Sequence, residues 1–506
     1  MKRRCFALLT ILTMTACLVP MPGAIVSKRA TALALPNERF ALVHQAAPEA
    51  EARQEKTETG SVQGTTAQAF TFGEGVEVNG SWPMAAANPQ RTSWNTEEVR
   101  GKLKPVWYRP IEAYIAPKIQ IIASNDLLYI STARGLYALH TGTGSTGEAG
   151  EVAWVYPTEL PLGHSPTIHN GVAYVGGLDR KLHAINALTG QGLWTFEAEA
   201  GFQTNPLVVD SIVYAGNRDG YMYAIYANDH PNKGTLAWKY KTLGPILFSA
   251  AYQDNTIYFA SNDSHAYALN ANTGGLVWKS SKLPGAGFHS WWPVVYQDPA
   301  SGADVVTFAG SNNYRHYLEP AYGFDLQNRE RDDIFPNKDS EPRGTPFGAR
   351  LADGSVDATR ALQYYEAKPW RRTYFVLDRA SGQEVNFDFD GDGNPEYAPI
   401  LWQGTHSGNR YPPVVGADGK IYQAAMYMSD PYIAGSQVIG WQVGDSSVET
   451  PMALWKALDE PLAYSAGGNL IYWNHCNDRS AGAFDLSIPN TRFYPEPPDP
   501  SREWAY

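Results

Sequence analysis

Stretches in which apolar and polar residues alternate, such as Tyr221-Met222-Tyr223-Ala224-Ile225, recur along the chain between turns that carry Asn, Asp or Gly. Alternation with period two predicts strands with one face inward and one outward. Three segments align unit by unit: GHSPTIHNGVAYVGGLDRKLHAINALTGQGLW (163–194), QTNPLVVDSIVYAGNRDGYMYAIYAN (203–228) and FSAAYQDNTIYFASNDSHAYALNANTGGLVW (248–278). Each begins with a short apolar run, turns through Asn or Asp into a second (VAYVGG, IVYAGN, TIYFAS), and continues into a third (LHAINA, MYAIYA, AYALNA). A final strand ends in Trp, so each unit is predicted to hold four strands, the first two innermost. Trp154, Trp194, Trp238 and Trp278 follow at intervals of 40, 44 and 40 residues, the spacing of four-stranded propeller blades. One such blade cannot bury its own faces, so neighbours must stack and the array must close into a ring. The predicted fold class is all-β, a single β-propeller of four-stranded blades.

Two regions break the period. From Trp278 to Trp402 there are 124 residues, read as one blade with a long insertion. PVVYQ (293–297), DVVTFAG (304–310) and YFVLDRASG (374–382) supply three of its strands, and Asn328–Pro369, charged and Pro-containing, is the insertion, a place where binding often resides. At the ends, LKPVW (103–107) reads as an outer strand without inner ones, whereas GNLIYWN (468–474) and AGAFDLS (481–487) read as inner strands without an outer one. Joining the two predicts seven blades: those ending at Trp154, Trp194, Trp238, Trp278, Trp402 and Trp455, and the closing one; eight is the alternative. The chain divides into a signal region (1–34), a leader or tether without apolar periodicity (35–79), the propeller (80–490) and a C-terminal tail (491–506).

The pattern Ala184-x-Asn186-x-x-Thr189-Gly190-x-x-x-Trp194, repeated as Ala268-x-Asn270-x-x-Thr273-Gly274-x-x-x-Trp278, resembles the PQQ-like (pyrroloquinoline quinone) repeat and its tryptophan-docking motif. The resemblance runs from about Trp82 to Leu486 and implies a quinoprotein-like propeller. It further implies that Trp154, Trp194, Trp238 and Trp278 lie flat between adjacent blades, and that Ala184 and Ala268 are packing positions. The quinone-dependent enzymes of this family carry two adjacent cysteines over the cofactor; this chain has no Cys-Cys pair and no CxxCH haem motif, which argues against PQQ as its cofactor.

Composition adds to this picture: 30 Tyr, 15 Trp and 46 Gly among 506 residues suit short strands and tight turns. A net charge of -11 without a basic run in the mature region excludes nucleic acid as a partner. Lys2-Arg3-Arg4 followed by CFALLTILTM reads as an export signal too short to span a bilayer. Met14-Thr15-Ala16-Cys17 resembles a lipoprotein cleavage box, making Cys17 a candidate for lipidation, and Ala32-Leu33-Ala34 is a competing ordinary cleavage site. Contact with a membrane is expected only through such an anchor. Cys476 alone remains in the folded part and reads as a small buried hydrophobe.

The sharpest chemical motif is Asp388-Phe389-Asp390-Gly391-Asp392-Gly393-Asn394-Pro395-Glu396. Alternate carboxylates, a Gly at the sixth position and a carboxylate at the ninth form part of an oxygen cage for Ca²⁺, with Asp388, Asp390, Asp392, Asn394 and Glu396 as ligands and a structural role. Position twelve is Pro399 rather than Glu, and no helix flanks the loop, so it is similar to the calcium loop of integrin-type propeller repeats, set in a β-hairpin. His164, His289 and His406 each precede Ser near the start of a blade, where three imidazoles could meet a ligand; their unequal distances from the following strands favour hydrogen-bonding turn residues instead. Trp291 and Trp292, with Tyr364, Tyr365, Tyr411, Tyr427 and Tyr432, are aromatic candidates for a ligand face.

These features read together as an exported, non-enzymatic binding or assembly scaffold of the cell envelope, similar to the propeller lipoprotein of the outer-membrane β-barrel assembly machinery. The expected partner is an envelope protein or a glycan, and the expected state is a monomeric propeller, located in the periplasm, at the cell surface or secreted. A PQQ-dependent oxidoreductase and a carbohydrate-binding or adhesion protein are the alternatives.

Overall fold

The computed structural model describes residues 81–100, 106–116, 118–142, 147–283, 287–288, 291–297, 302–310, 374–387, 396–397, 414–417, 419–425, 437–441, 449–453, 461–475, 481–487 and 502–505. Every regular element among them is a β-strand. The first sheet holds Ile122–Ser124, Leu127–Thr132, Gly135–His140 and Val152–Pro157; the second Thr167–His169, Val172–Gly176, Lys181–Asn186 and Gly192–Glu197. The third holds Leu207–Val209, Ile212–Gly216, Tyr221–Tyr226 and Leu236–Lys241; the fourth Ala251–Gln253, Thr256–Ser261, His265–Asn270 and Leu276–Lys279. The fifth has three strands, Val294–Gln297, Asp304–Ala309 and Tyr374–Asp378; the sixth has Val414–Val415, Ile421–Ala425, Gln437–Trp441 and Glu449–Ala453. The seventh has five: Trp94–Asn95, Pro461–Gly467, Leu470–His475, Ala481–Asp485 and Arg502–Ala505. The described residues thus form an all-β propeller with six blades of four or more strands and one three-stranded sheet.

Local chemistry explains the meander. In the first four sheets the turn between the first two strands has positive φ at both residues: Asn125-Asp126, Asn170-Gly171, Asp210-Ser211 and Asp254-Asn255. That geometry matches the twist of paired strands, and Asn, Asp and Gly tolerate it best. Between sheets, Trp154, Trp194, Trp238 and Trp278 each lie over a glycine of the next sheet. A Cβ placed on Gly190 would fall 2.7 Å from the Trp154 ring, on Gly234 3.1 Å from Trp194, on Gly274 2.6 Å from Trp238, and on Gly382 2.4 Å from Trp278. The indole N–H of Trp154, Trp238 and Trp278 donates to a carbonyl of that neighbour, at Ala187 (3.1 Å), Ala271 (2.8 Å) and Arg379 (2.9 Å). Trp154, Trp194, Trp238 and Trp278 thus each stand at a junction between neighbouring sheets. Apolar clusters run across the junctions: one joins Ala268, Val306 and Val415 of the fourth to sixth sheets. Another joins Leu470, Tyr472 and Ala483 of the seventh to Leu128 and Leu139 of the first, which closes the ring.

Inside the ring of first strands runs residues 82–95, whose side chains are almost all buried. Trp82 exchanges backbone bonds with Ala123 of the first sheet (2.7 and 3.1 Å), and Ile168 of the second donates to Pro83 O (2.7 Å). Met84 packs with Leu207 and Tyr214 of the third. Tyr252 of the fourth donates to Pro89 O (2.8 Å), Val295 of the fifth to Gln90 O (3.0 Å), Val415 of the sixth to Thr92 O (3.0 Å) and Ala466 of the seventh to Ser93 O (2.7 Å). The segment visits every sheet in chain order and satisfies inner edges that would otherwise be open. Its curvature requires positive φ at Ala86, Ala87, Arg91 and Ser93, a conformation unfavourable for such residues and held here by the surrounding bonds.

Closure differs from the sequence expectation. Val106 and Trp107 of LKPVW lie outside any strand; the outer place in the seventh sheet is taken by Arg502–Ala505, from the segment read as a tail, paired with Ala481–Asp485. Register distinguishes Arg502–Ala505: Trp504 stands opposite Ala483 as Trp154 stands opposite Ala138 in the first sheet. The N-terminal contribution is instead innermost: Trp94 and Asn95 pair in parallel with Ala466 and Gly467. In the fifth sheet the three expected strands are present, and Leu377 bridges Glu384 while Val385 N donates to Val376 O (2.9 Å), so residues 384–385 occupy the fourth position. Trp402, Trp455, the insertion 328–369, Cys17 and Cys476 lie outside the described residues.

Candidate functional site

The starts of the first strands converge inside the ring, and their polar groups bond from blade to blade. Gln120 N donates to Ser165 Oγ (2.8 Å), Ser165 N to Asn205 Oδ1 (2.9 Å), Asn205 N to Ser249 Oγ (2.9 Å) and Ser249 N to Trp291 O (2.7 Å). Gln120 Oε1 also accepts from Ala86 N (2.8 Å), tying this relay to the inner segment. Beside it Arg91 is fully buried, and its guanidinium donates to the carbonyls of Ala250 (3.0 Å), Ala85 (2.5 Å), Pro206 (3.2 Å) and Asn205 (3.4 Å). Burial alone draws its pKa down to about 9, and the charge is stabilised by carbonyl dipoles. A Ser or Asn two residues before the first strand of the second, third and fourth sheets is the signal of the relay; Arg91, in a segment without periodicity, carries none.

His164 immediately precedes a relay member but is 4% exposed, with no hydrogen-bond partner at either ring nitrogen. Burial, reinforced by the charge of Lys118, depresses its pKa to about 3, so the ring is neutral. The corresponding residues before Asn205 and Ser249 are Thr204 and Phe248, both fully buried, which makes this an interior position. His164 is therefore neither the hydrogen-bonding turn residue that the sequence favoured nor part of an open ligand face, and that candidate face is corrected also at Trp291 and Trp292. Their rings pack edge-to-face at 5.6 Å within the apolar cluster of the fourth to sixth sheets. Large aromatic surface gains more from burial there than from solvent. His289 and His406 lie outside the described residues, as do Tyr364, Tyr365, Tyr411, Tyr427 and Tyr432.

A second arrangement was not foreseen. His183, on the third strand of the second sheet, lies between two partners: its Nε2 is 3.0 Å from Asp179 Oδ2, and its Nδ1 is 3.2 Å from the Tyr156 hydroxyl of the first sheet. An acid, an imidazole and a hydroxyl in line resemble a catalytic relay. The sister sheets identify its role. Tyr223 donates to Asp219 Oδ2 (2.6 Å) beneath Phe196, and Tyr267 to Asp263 Oδ2 (2.6 Å) beneath Tyr240. In all three the Asp also accepts from the backbone N–H two residues on, at Lys181, Tyr221 and His265. His183 therefore occupies a structural place that Tyr fills elsewhere, and burial lowers its pKa against the pull of Asp179. The signal was present as an Asp four residues before the aromatic in LDRKLH, RDGYMY and NDSHAY.

Among the described residues no three His, Cys, Asp or Glu side chains are grouped so as to hold a metal ion. Asp388, Asp390, Asp392 and Asn394 lie outside those residues, and Glu396 is described only as part of a strand. The flanks are as expected: Asn386–Phe387 pairs antiparallel with Glu396–Tyr397, Phe387 opposite Glu396, so the acidic loop joins the two arms of a β-hairpin.

Residues 145–287, which contain the second, third and fourth sheets, match the family model described as outer membrane protein assembly factor BamB. Over 56 residues the chain is 39% identical to the tetrathionate hydrolase of Acidithiobacillus ferrooxidans, a match spanning 11% of each protein. Among solved structures, the quinohemoprotein alcohol dehydrogenase from Comamonas testosteroni is similar with a TM-score of 0.55 at 12% identity, over 85% of this chain and 73% of that one. A europium-containing methanol dehydrogenase gives 0.53 at 13% identity, over 84% of this chain and 85% of that one. At these identities the likeness is one of fold. The chain is thus a β-propeller whose residues 145–287 match the BamB family model, in a fold similar to those two dehydrogenases.

Proposed function

We propose that this chain is an exported scaffold of the cell envelope that acts by binding an envelope protein or a glycan. The observation that carries the reading is how the centre of the ring is used. The polar groups of Gln120, Ser165, Asn205 and Ser249, and the guanidinium of Arg91, are engaged with one another and with the backbone of residues 82–95. They hold the ring together, and recognition falls to the blade faces and to the loops of the irregular half. The family description matched by residues 145–287 names an assembly factor, which supports the same class. In this reading the three-stranded fifth sheet counts as a blade, the ring has seven, and the chain is monomeric. The acidic loop 388–396 binds a structural Ca²⁺ through Asp388, Asp390, Asp392, Asn394 and Glu396, stiffening the base from which Asn328–Pro369 projects.

The test is to replace Asn328–Pro369 with a short Gly-Ser linker and compare capture from a solubilised envelope fraction and from a glycan array. A cooperative melt with capture abolished is expected; equal capture by the shortened protein sinks the assignment to the irregular half. An enzymatic reading has one observation in its favour, the 56-residue match to tetrathionate hydrolase. Turnover of tetrathionate by the intact protein, or oxidation of an alcohol with added PQQ and Ca²⁺, overturns the scaffold reading.

A further inference from the structure

The outer strands of the first four sheets have no strand beyond them, so their outward main-chain N–H and C=O groups are open to one more. Three of these edges carry a device against such pairing. Val152–Pro157 ends in Pro157, which has no N–H. Gly192–Glu197 ends in an ion pair of Glu197 with Arg180 (2.8 Å), and Leu276–Lys279 is four residues long. Leu236–Lys241, in the third sheet, has six residues and no proline. Its two lysines are the residue type that usually guards an edge, and a guard stands out from the edge with its charge in water. Here both ammonium groups fold back across the sheet instead. Lys239 Nζ lies 4.5 Å and Lys241 Nζ 4.4 Å from the centre of the half-buried Tyr221 ring on the neighbouring strand.

Neither charge is neutralised. Among the described residues neither lysine forms an ion pair with a carboxylate, in a chain whose net charge is -11. Asp219 gives Lys241 only its carbonyl oxygen, because its carboxylate accepts from the Tyr223 hydroxyl (2.6 Å) and from Tyr221 N (2.9 Å). Two like charges gathered on one ring repel each other, and an anion shared between them turns that repulsion into attraction. We infer that Leu236–Lys241 is a docking edge for an acidic strand of a partner protein, which adds to the third sheet and meets Lys239 and Lys241 with carboxylates. The pleat sets the partner's pattern: Lys239 and Lys241 share one face, so the acidic residues stand at i and i+2, and the residue between them lies beside the half-buried Tyr240 on the other face. The inference rests on the scaffold reading and gives it the chemistry of one contact. A single edge binds weakly, so this contact strengthens the hold on a partner engaged at a second point as well.

The test titrates the full-length protein into a fluorescein-labelled peptide, Thr-Val-Glu-Val-Glu-Val-Thr, read by anisotropy. At low salt it should bind at least tenfold more tightly than the same peptide with Gln for Glu, and added salt should shrink the difference. The double variant K239Q/K241Q, altered only at exposed side chains, should melt as the unsubstituted protein does and lose the preference, whereas K279Q on the short fourth edge should keep it. Bound peptide should also slow hydrogen exchange at main-chain amides of Leu236–Lys241, which distinguishes an added strand from an anion held by the lysines alone. The protein with a Gly-Ser linker in place of Asn328–Pro369 should bind the peptide undiminished, so that failure of this edge and failure of the assignment to the irregular half are read separately. Equal binding of the Glu and Gln peptides, a preference that survives K239Q/K241Q, or unchanged exchange along the edge overturns the inference. So does tighter binding of polygalacturonate than of the peptide through the same lysines, which would make the site one for an acidic glycan.

Discussion

Under each docked indole lies a glycine whose backbone angle and missing side chain are both required. At Gly274 the φ is +69° and a Cβ would fall 2.6 Å from Trp238, so Gly274→Ala meets a left-handed penalty of about 1–2 kcal/mol as well as a displaced ring. A loss of about 3 kcal/mol in urea unfolding is expected. Gly275→Ala, one residue on at an ordinary φ with Thr273 Oγ1 3.2 Å away, should lose less than about 1 kcal/mol and serves as the control. His164 makes a prediction about pH. Its folded pKa of about 3 lies below the unfolded value near 6.5, so the unfolded chain binds the extra proton first. Stability from this group is fully present above about pH 6.5 and is lost as pH falls towards 3, with a ceiling on the order of 5 kcal/mol. His183 acts in the same direction, because burial lowers its pKa too. His164→Phe, which copies the residue before Ser249, should flatten the acid limb of a stability–pH curve relative to the unsubstituted protein. Parallel curves would show that the imidazole is not held neutral.

Among the elements, the inner segment has the largest leverage on the rest. Arg91→Met keeps an apolar stem but leaves the carbonyls of Ala85, Asn205, Pro206 and Ala250 without their shared donor inside the ring. A cost of about 3–5 kcal/mol is expected, read as a lower urea midpoint; a change under about 1 kcal/mol would mean the carbonyls find other partners. This element was illegible in the sequence for a physical reason. Residues 82–95 are buried by bonding their backbone to six inner edges and packing Met84 on the third, so WPMAAANPQRTSWN has no alternation to detect. The blades were legible because burial on one face imposes period two, and because one docking geometry recurs at Trp154, Trp194, Trp238 and Trp278. His164, Trp291 and Trp292 misled because residue type does not reveal burial: a His or Trp before a first strand looks like a ligand group until its neighbours are known. Closure misled because both LKPVW and SREWAY carry a Trp in a short candidate strand, and only pairing with Ala483 separates them.

For the whole molecule, the hairpin at Asn386–Tyr397 offers a direct test of cation binding. Four carboxylates within nine residues repel one another unless a cation is shared, so Ca²⁺ should raise the melting temperature by mass action and a chelator should reverse it. Asp390→Ala should be indifferent to both, and a melting temperature insensitive to Ca²⁺ in the unsubstituted protein would reject the site. The inner segment also bears on the order in which the protein is made. Residues 82–95 leave the ribosome before any blade, yet their last partners, Ala466 and Gly467, come about 370 residues later. Contacts so distant in sequence form slowly, because a long loop must close before they yield any stabilisation. Early blades can collapse as units, but the ring cannot be fastened until the seventh sheet has emerged. The chain is therefore obliged to wait with its centre open, exposed to chaperones and proteases, until the seventh sheet has been made.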